Sequence, residues 1–308
     1  MGYSELTDNE EDAMKTATQL LIIDPQNDFC DVPVGYRSLD PLTGTAVAPA
    51  LPVAGAHADM LRTAQFISAA GPALQEITVT LDSHHQVDIA HPTFWRRGGP
   101  SSAPGADGAG DVPPFTQITA AQVRAGAFQP RDPAALPRTL AYLDALESRG
   151  RYVLMVWPVH CEMGTWGHDV HADVRDAYNR WERARLRNVR KVSKGENPWT
   201  EHYSAIQAEV PDPQDEHTQL NTPLLAALGR ADLLFIAGEA SSHCVRATTE
   251  HIVANLPGGH PERVVLLTDC MSPVAGFEAQ HQAFLDDMRA RGVRLATSTE
   301  ALGLLEAA

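Results

Sequence analysis

The chain has 308 residues, of which 44% are hydrophobic, and a formal net charge of −15 at pH 7. This length is enough for one large domain with a sizeable core, or for one domain that carries an elaboration. The strong negative charge argues against nucleic acid and anionic membrane surfaces as partners. No apolar run reaches the roughly 18 residues that a membrane-spanning helix needs, so no membrane partner is expected.

Residues 1–18 are interpreted as an acidic N-terminal extension. The stretch from Met1 to Lys15 is acidic and polar, which is typical neither of a signal peptide nor of a transit peptide. The four cysteines, at positions 30, 161, 244 and 270, show no paired spacing, and this favours reduced thiols. Together these features predict a cytoplasmic protein.

Seven runs along the chain have the length and composition of β-strands. Most are continuously apolar rather than alternating, as in parallel strands that are covered on both faces. The runs are 19–24, 77–82, 152–157, 188–192, 232–238, 264–269 and 293–297. Amphipathic helical segments lie between them, near 57–70, 134–149, 168–187, 219–229, 243–255 and 276–291. This alternation predicts a Rossmann-like three-layer α/β/α fold with a mainly parallel sheet of about six strands.

Residues 96–133 interrupt the alternation. Glycine and proline are frequent there, which predicts a long irregular insertion within a single domain that spans residues 19–300. Loops of this length in a compact domain are usually functional or mobile. A lid over a binding site and a disordered excursion are both compatible with this composition.

Cys244 follows the strand run 232–238 and opens the helical segment 243–255. Open α/β sheets bind ligands at the carboxyl ends of their strands. A helix N-terminus also lowers the pKa of a cysteine, and the thiolate is the nucleophilic form. A cysteine is equally an ordinary small core residue, so on this stretch alone the two interpretations are balanced.

Asp24 closes the first strand run, where burial raises the pKa of a carboxyl group toward a range useful for proton transfer. Capping of a following helix is the alternative role for this residue. Asp82 and His84 end the second run, where a carboxylate and an imidazole in alternate positions can reach one divalent ion. A hydrogen-bonded surface pair is the alternative there.

Two more strand runs are followed closely by residues that could take part in binding or catalysis. The third run is followed by His160, a further candidate metal ligand, and ends in Trp157, a flat wall for a ring-shaped substrate. Ordinary packing is the alternative for both. Lys194 stands just past the fourth run, where a solvated surface lysine is the alternative.

In combination and in this order, the clusters resemble the isochorismatase-like cysteine hydrolases and, among them, the nicotinamidases. The resemblance covers roughly residues 19–81 and 151–299. The matching segments are 24–29, 82–84, 157–161, 164–167, 194–195, 203–205 and 238–248. The narrower match to nicotinamidases rests mainly on the residues of the metal site.

The resemblance implies a catalytic triad of Asp24, Lys194 and Cys244. Cys244 would attack the amide carbon, Lys194 would favour its thiolate, and Asp24 would pass the thiol proton to the departing ammonia. The backbone N–H groups of Ala240 and Cys244 would bind the oxyanion, next to a cis peptide between Glu239 and Ala240. Water would then hydrolyse the thioester to an acid.

The resemblance also implies a divalent metal ion and no organic cofactor. The ligands in the family correspond to Asp82, His84 and His160, and His91 corresponds to an additional histidine of some members. Zinc is the expected metal, with iron and manganese as alternatives. Relatives are often dimers or larger, so the resemblance is compatible with a homo-oligomer, for which the sequence itself carries no assembly signal.

Phe29 and Trp157 match family positions that sandwich an aromatic ring, which implies a pocket for flat heteroaromatic amides. Two residues depart from the nicotinamidase pattern. Ser83 stands where an aromatic residue is usual, and Glu239 places a carboxyl group beside the oxyanion loop. If Glu239 faced the pocket, it would disfavour a thiolate or bind a cationic group, and if it faced outward it would have no effect.

The leading hypothesis is therefore a metal-containing cysteine amidohydrolase that converts nicotinamide and water to nicotinate and ammonia. A related hydrolase acting on another small amide, a ureide or a carbamoyl compound is the first alternative. A hydrolase that uses metal-bound water, with Cys244 incidental, is a mechanistic variant. The last alternative is a non-catalytic binding protein on the same scaffold.

Overall fold

The computed structural model describes residues 16–98 and 110–306. Most of the predicted N-terminal extension and residues 99–109 of the predicted insertion therefore lie outside the described residues. The strands are β1 (Thr18–Ile23), β2 (Leu74–Asp82), β3 (Trp95–Arg97), β4 (Thr116–Ile118), β5 (Phe128–Pro130), β6 (Leu154–Val156), β7 (Arg190–Lys194), β8 (Leu233–Gly238), β9 (Val264–Leu267) and β10 (Arg294–Ala296). The α-helices are α1 (Ala56–Ala70), α2 (Ala120–Arg124), α3 (Leu136–Ser148), α4 (Ala172–Arg185), α5 (Thr222–Leu228), α6 (Cys244–Asn255), α7 (Glu278–Ala290) and α8 (Ser298–Glu306).

Six strands form one parallel sheet in the order β10-β9-β8-β1-β2-β7. Every residue of the central strands β1, β8 and β9 is buried, as expected for continuously apolar strands that are covered on both faces. Helices flank the sheet: α1 packs against α4 and α8, and α6 packs against α7. The predicted α/β architecture and strand number are confirmed. Within the described residues, no helix combines the length and hydropathy that a bilayer crossing requires.

The predicted third strand is wrong as a member of this sheet. The apolar run around β6 instead pairs antiparallel with β4, so that Thr116 lies opposite Val156. A short apolar run shows that a segment is buried, but its periodicity does not reveal which neighbour covers it. The place beside β2 is taken by β7.

The predicted irregular insertion contains regular structure over residues 110–133. In addition to β4, this stretch contains α2 and β5, and β5 pairs antiparallel with β3. A capping box starts α2: the hydroxyl of Thr119 accepts from the N–H of Gln122, whose side chain bonds back to the N–H of Thr119. This local signal was overlooked because the glycines and prolines around it dominate the composition.

Lys194 is the last residue of β7 rather than a residue beyond the strand, because the strand lies two residues further along the chain than predicted. Its side chain is buried instead of solvated. A second unpredicted helix, α8, extends past residue 300 and packs against α1.

Gly238 ends β8 in a backbone conformation that favours glycine, with φ at 126°. A Cβ atom there would lie 2.0 Å from the carbonyl oxygen of Ile23 on the neighbouring strand. Gly238→Ala is therefore expected to lower the free energy of unfolding by at least about 2 kcal/mol, measured by urea denaturation. Gly303→Ala in α8, where a Cβ meets nothing within 4 Å, is the control and is expected to leave stability unchanged or slightly raised. Equal stability of the two variants would contradict this steric argument.

Candidate active site

Three of the predicted residues meet at the carboxyl edge of the sheet. Asp24 follows β1, Lys194 ends β7 and Cys244 opens α6. The Nζ atom of Lys194 lies 2.9 Å from Asp24 Oδ2 and 3.6 Å from Cys244 Sγ. It also lies 2.8 Å from Asp82 Oδ1 and donates to the carbonyl oxygen of His202 at 3.1 Å. The ammonium group thus connects two carboxylates and the thiol in a buried setting.

Thr80 on β2 holds the carboxyl group of Asp24, a role that the sequence alone did not indicate. Its hydroxyl donates to Asp24 Oδ1 at 2.5 Å and accepts from the N–H of Asp24 at 3.0 Å. Asp24 has a positive φ of 45°, which is uncommon for a residue other than glycine and requires support from its surroundings. The two hydrogen bonds to Thr80 provide that support.

The pKa shifts in this cluster follow from burial and from the charge on Lys194. Burial raises the pKa of Asp24, and Lys194 opposes this only in part. Burial alone would lower the pKa of Lys194, but the attraction of Asp24, Asp82 and Cys244 outweighs it, so that the pKa stands well above 10.5. Lys194 is therefore charged at neutral pH.

Burial also raises the pKa of the Cys244 thiol, although Lys194 lowers it. The expected lowering of this pKa by the start of α6 is thus outweighed by burial, and the nearby Asp24 and Asp82 raise the pKa further. The carboxyl group of Asp24, whose pKa is raised, and the thiol of Cys244 both contact the ammonium group of Lys194.

The three predicted metal ligands form a second cluster, which Asp82 joins to the first. Asp82 Oδ2 lies 3.2 Å from His84 Nε2 and 3.4 Å from His160 Nε2. His84 Nε2 is buried and makes no aligned hydrogen bond to any described residue. A buried, unpartnered imidazole nitrogen beside a carboxylate and a second imidazole fits a divalent first-row metal ion.

His91 adjoins this cluster. The ligand atoms of His84, His91 and His160 lie within 4.8 Å of one another. The Nε2 atom of His91 is 3.3 Å from Nδ1 of His160, the ring nitrogen that does not face Asp82. Burial, together with the nearby His160, lowers the pKa of His91 to about 3, so its ring is neutral and can act as a ligand or as a hydrogen-bond partner.

Asp88 supports the cluster and was missed in the sequence. Its Oδ2 atom lies 3.2 Å from Nδ1 of His84, while its Oδ1 atom accepts from the N–H of Ala90 at 2.9 Å. A carboxylate on one imidazole nitrogen orients the other nitrogen toward a metal. The signal that could have revealed it is a carboxylate four residues after a candidate histidine ligand.

A pocket opens onto Cys244 and contains both residues predicted to bind the substrate ring, Phe29 and Trp157. The residues around it are Phe29, Leu51, Asp82, Trp157, His160, Glu201, Tyr203, Ala240, His243, Cys244 and Val274. Trp157 is held by a hydrogen bond from its Nε1 atom to the hydroxyl oxygen of Tyr203, at 3.0 Å. The pocket therefore has an aromatic wall beside the thiol and carboxylate and imidazole groups on its polar side.

Glu201 and His243 line this pocket but were not singled out in the sequence. Glu201 is buried, its Oε1 atom accepts from the N–H of His202 at 3.0 Å, and its Oε2 atom has no partner among the described residues. Burial raises the pKa of Glu201 to about 7. The ring of His243 lies 5.0 Å from that of Trp157, and burial lowers the pKa of His243 to about 4, so it contributes a neutral wall.

The loop between β8 and Cys244 turns tightly around Ala240. The N–H groups of His243 and Val245 donate to the carbonyl oxygen of Ala240, at 3.0 and 3.2 Å. The peptide bond between Glu239 and Ala240 is cis, as the resemblance implied. The side chain of Glu239 does not line the pocket and is buried.

No protein-family model matches the chain, and no curated protein matches its sequence. Solved structures do match it. A nicotinamidase/pyrazinamidase of Acinetobacter baumanii has a TM-score of 0.57 at 19% identity, over 94% of this chain and 99% of that one. The yeast nicotinamidase bound to the inhibitor nicotinaldehyde has a TM-score of 0.55 at 18% identity, over 91% and 99% of the two chains. The pyrazinamidase of Pyrococcus horikoshii in complex with zinc has a TM-score of 0.50 at 17% identity, over 91% and 98%.

These structures share the central sheet and its flanking helices with the present chain over nearly their whole length. At a sequence identity of this order the structural similarity shows the fold. The substrate and the mechanism have to be argued from the residues of the site. The chain therefore has the α/β fold of the nicotinamidases, which is the isochorismatase-like hydrolase fold that its sequence predicts.

Proposed function

We propose that this protein is a cysteine amidohydrolase that releases ammonia from a small aromatic amide, with nicotinamide as the expected substrate. The observation that carries the proposal is the contact of Lys194 Nζ with both Asp24 and Cys244 beside a pocket with an aromatic wall. The fold shared with nicotinamidases supports the same reaction class. A cytoplasmic location, a homo-oligomer and the division of the chain into an extension and one domain stay predictions of the sequence.

In the first half of the reaction, Cys244 passes its proton to Asp24 as sulfur forms a bond to the amide carbon. The carbonyl electron pair moves onto oxygen, and the N–H groups of Ala240 and Cys244 are proposed to bind this oxyanion. Asp24 then donates the proton to the amide nitrogen, because this nitrogen departs readily only as neutral ammonia. The C–N bond breaks, ammonia departs and a thioester remains.

In the second half, water attacks the thioester, and Asp24 accepts a proton from the water. The C–S bond breaks, the acid leaves, and the thiol of Cys244 recovers its proton. Lys194 stays charged throughout and stabilises the negative charge that moves between sulfur and carboxylate. Phe29 and Trp157 are proposed to hold the substrate ring, so that its amide group faces the thiol.

We infer that Asp82, His84 and His160 hold a divalent metal ion, with His91 as a neighbouring imidazole. When bound, such an ion supplies a Lewis-acid contact for a ring nitrogen of the substrate. Zinc is preferred, since two imidazoles and one carboxylate suit it and a pyrazinamidase with this fold was solved with zinc. Iron and manganese are compatible with the same ligands.

Asp88→Ala is expected to weaken zinc binding by about 10–100-fold, because His84 loses the carboxylate that orients its ring. The measurement is competition for zinc between the protein and a chelating dye. Asp286→Ala, on the exposed side of α7, is the control and should bind zinc like the unchanged protein. Unchanged zinc affinity in Asp88→Ala would remove the orienting role of Asp88.

A second candidate is a hydrolase of ureides or carbamoyl compounds. It is favoured by Glu201, which lines the pocket and whose buried Oε2 atom has no partner among the described residues, because this atom can accept a hydrogen bond from an additional N–H group. Nicotinamide has no N–H group on its ring, whereas ureides carry several. We nevertheless propose an aromatic amide rather than a ureide as the substrate, because Phe29 and Trp157 present apolar aromatic surface to the pocket.

The test is ammonia release from nicotinamide, pyrazinamide, a ureide and an aliphatic amide, with zinc supplied. We expect kcat/KM for nicotinamide to exceed that for the ureide and the aliphatic amide by at least about 100-fold. Turnover of the ureide alone would replace the leading candidate by the second. Release of ammonia from none of the four would contradict the amidase proposal.

A further inference from the structure

A buried acid lies behind the loop that precedes Cys244. The side chain of Glu239 is fully buried, and its Oε2 atom accepts from the N–H of Ser272 at 3.2 Å. The hydroxyl of the same Ser272 donates to Oδ2 of Asp59 on α1 at 2.5 Å, so the two carboxyl groups meet at one residue. The Oε1 atom of Glu239 is buried and has no hydrogen-bond partner among the described residues. The carboxyl group next to Glu239 is therefore that of Asp59.

Two carboxyl groups can share a hydrogen bond only when one of them carries a proton. Asp59 has an ion-pair partner in Arg62 and accepts a hydrogen bond from the hydroxyl of Ser272 at 2.5 Å, so both of these donors are directed at Asp59 and not at Glu239. Glu239 has no cation beside it in its ion pairs or hydrogen bonds. The proton thus belongs on Glu239.

The same residues hold the backbone on both sides of Ala240. The carbonyl oxygen of Ser272 accepts a hydrogen bond from the N–H of Ser241 at 2.9 Å, and the N–H of Ser272 donates to the side chain of Glu239. The N–H of Glu239 donates to the carbonyl oxygen of Ile23 at 2.8 Å. The residue before Ala240 and the residue after it are therefore tied to one segment, and that segment is tied to α1 through Asp59.

We propose that Glu239 is a positioning residue: as a neutral acid paired with Asp59, it fixes the peptide N–H of Ala240 toward the reacting carbonyl oxygen. This inference rests on the proposed amidase function. It also explains why a carboxyl group is tolerated beside the oxyanion loop, since a neutral acid adds no negative charge next to the thiol. An ionised Glu239 would repel Asp59 and loosen the loop.

The proton on Glu239 gives a test that does not need catalysis. The groups around Glu239 are Asp59 on α1, which is itself paired with Arg62, Cys30 and Asp31 after β1, and Ser272 after β9. Burial, with Asp59 adding to it, raises the pKa of Glu239 well above 4.5. The folded protein therefore holds this proton more tightly than the unfolded chain, and the resulting stability is present at low pH and is lost as pH rises toward the folded pKa.

Glu239→Gln keeps the shape and the donor to Asp59 but cannot ionise. The melting temperature of this variant, relative to the unchanged protein, is expected to rise by about 2 °C or more between pH 5 and pH 9. If the melting temperature of Glu239→Gln minus that of the unchanged protein falls with pH or stays constant, Glu239 is charged in the folded protein. That result would overturn the proposal, whether or not amides are hydrolysed.

The positioning role is tested with Glu239→Ala and with aldehyde binding. Pyridine-3-carbaldehyde forms a C–S bond with a thiol and places its oxygen where the oxyanion lies, so its affinity reports on the Ala240 N–H. We expect Glu239→Ala to lower both kcat and aldehyde affinity by at least about tenfold with KM changed less than threefold, and Glu239→Gln to restore both. If Glu239→Ala lowered the affinity for nicotinate as much as the affinity for the aldehyde, the role of Glu239 would be purely structural. If Glu239→Gln had a kcat and an aldehyde affinity as low as those of Glu239→Ala, the neutral-acid assignment would be contradicted.

Discussion

Replacement of Cys244 with alanine is expected to lower kcat for nicotinamide by about 10⁴-fold or more, because it removes the thiol that contacts Lys194 beside Asp24. Among the described residues, the contacts of Lys194 Nζ are two carboxylates, one carbonyl oxygen and this thiol. Loss of the sulfur removes the atom that forms the thioester and leaves the pocket walls in place. The measurement is ammonia release, with nicotinamide binding followed separately by calorimetry.

Cys270→Ala is the matched control, since Cys270 is also a buried free thiol but its side chain contacts Asp269 and not the triad. It should keep the activity of the unchanged protein and still be blocked by iodoacetamide. Turnover that survives in Cys244→Ala and disappears when zinc is removed would favour the alternative in which metal-bound water attacks the amide. Binding of nicotinamide without turnover in the unchanged protein would favour the non-catalytic alternative.

The position of the triad could be predicted from the sequence for a simple geometric reason. Asp24, Lys194 and Cys244 each stand where a strand ends, and the carboxyl ends of parallel strands share one edge of the sheet. Distance along the chain is therefore irrelevant to whether they meet. The two-residue error in the end of β7 did not matter, because Lys194 remained at that edge.

The direction of individual side chains could not be predicted in the same way. Glu239 is adjacent to the oxyanion loop in sequence, yet its carboxyl group turns toward Asp59, which is 180 positions away in the chain. Thr80 and Asp88 acquire their roles only through hydrogen bonds to Asp24 and His84. These contacts depend on how helices and loops pack onto the sheet, which strand periodicity does not encode.

The pairing of β6 with β4 shows a further limit. The apolar run at β6 has the composition of a sheet strand, but a strand partner inside the predicted irregular stretch covers it instead. Next to this ribbon, Phe115 packs against Trp157, a residue of the pocket wall, with the two rings edge-on and their centroids 5.8 Å apart. The part of the insertion that the structure describes therefore supports one residue of the pocket wall from behind.

Lys194→Met is expected to cost about 3–5 kcal/mol of unfolding free energy, because it removes one partner from a buried ion pair and leaves Asp24 and Asp82 without their shared cation. In the unchanged protein the pKa of Lys194 is raised on folding. The stability that this charge contributes is therefore fully present below pH 10.5 and is lost only as the pH rises through the folded pKa. The unchanged protein therefore keeps this contribution across the neutral range. Activity should fall as well, since the thiolate loses its stabilising charge.

In Lys194→Met the unpaired carboxylates take up protons more readily, so the loss of stability should be greatest at high pH and smaller near pH 5. Urea denaturation at pH 5 and pH 8 measures this difference. The matched control is Asp24→Asn combined with Lys194→Met, which removes a buried negative charge together with the positive one and should recover part of the stability but none of the activity. An equal loss at both pH values, with no recovery in the double variant, would contradict the assignment of this stability to the charge on Lys194.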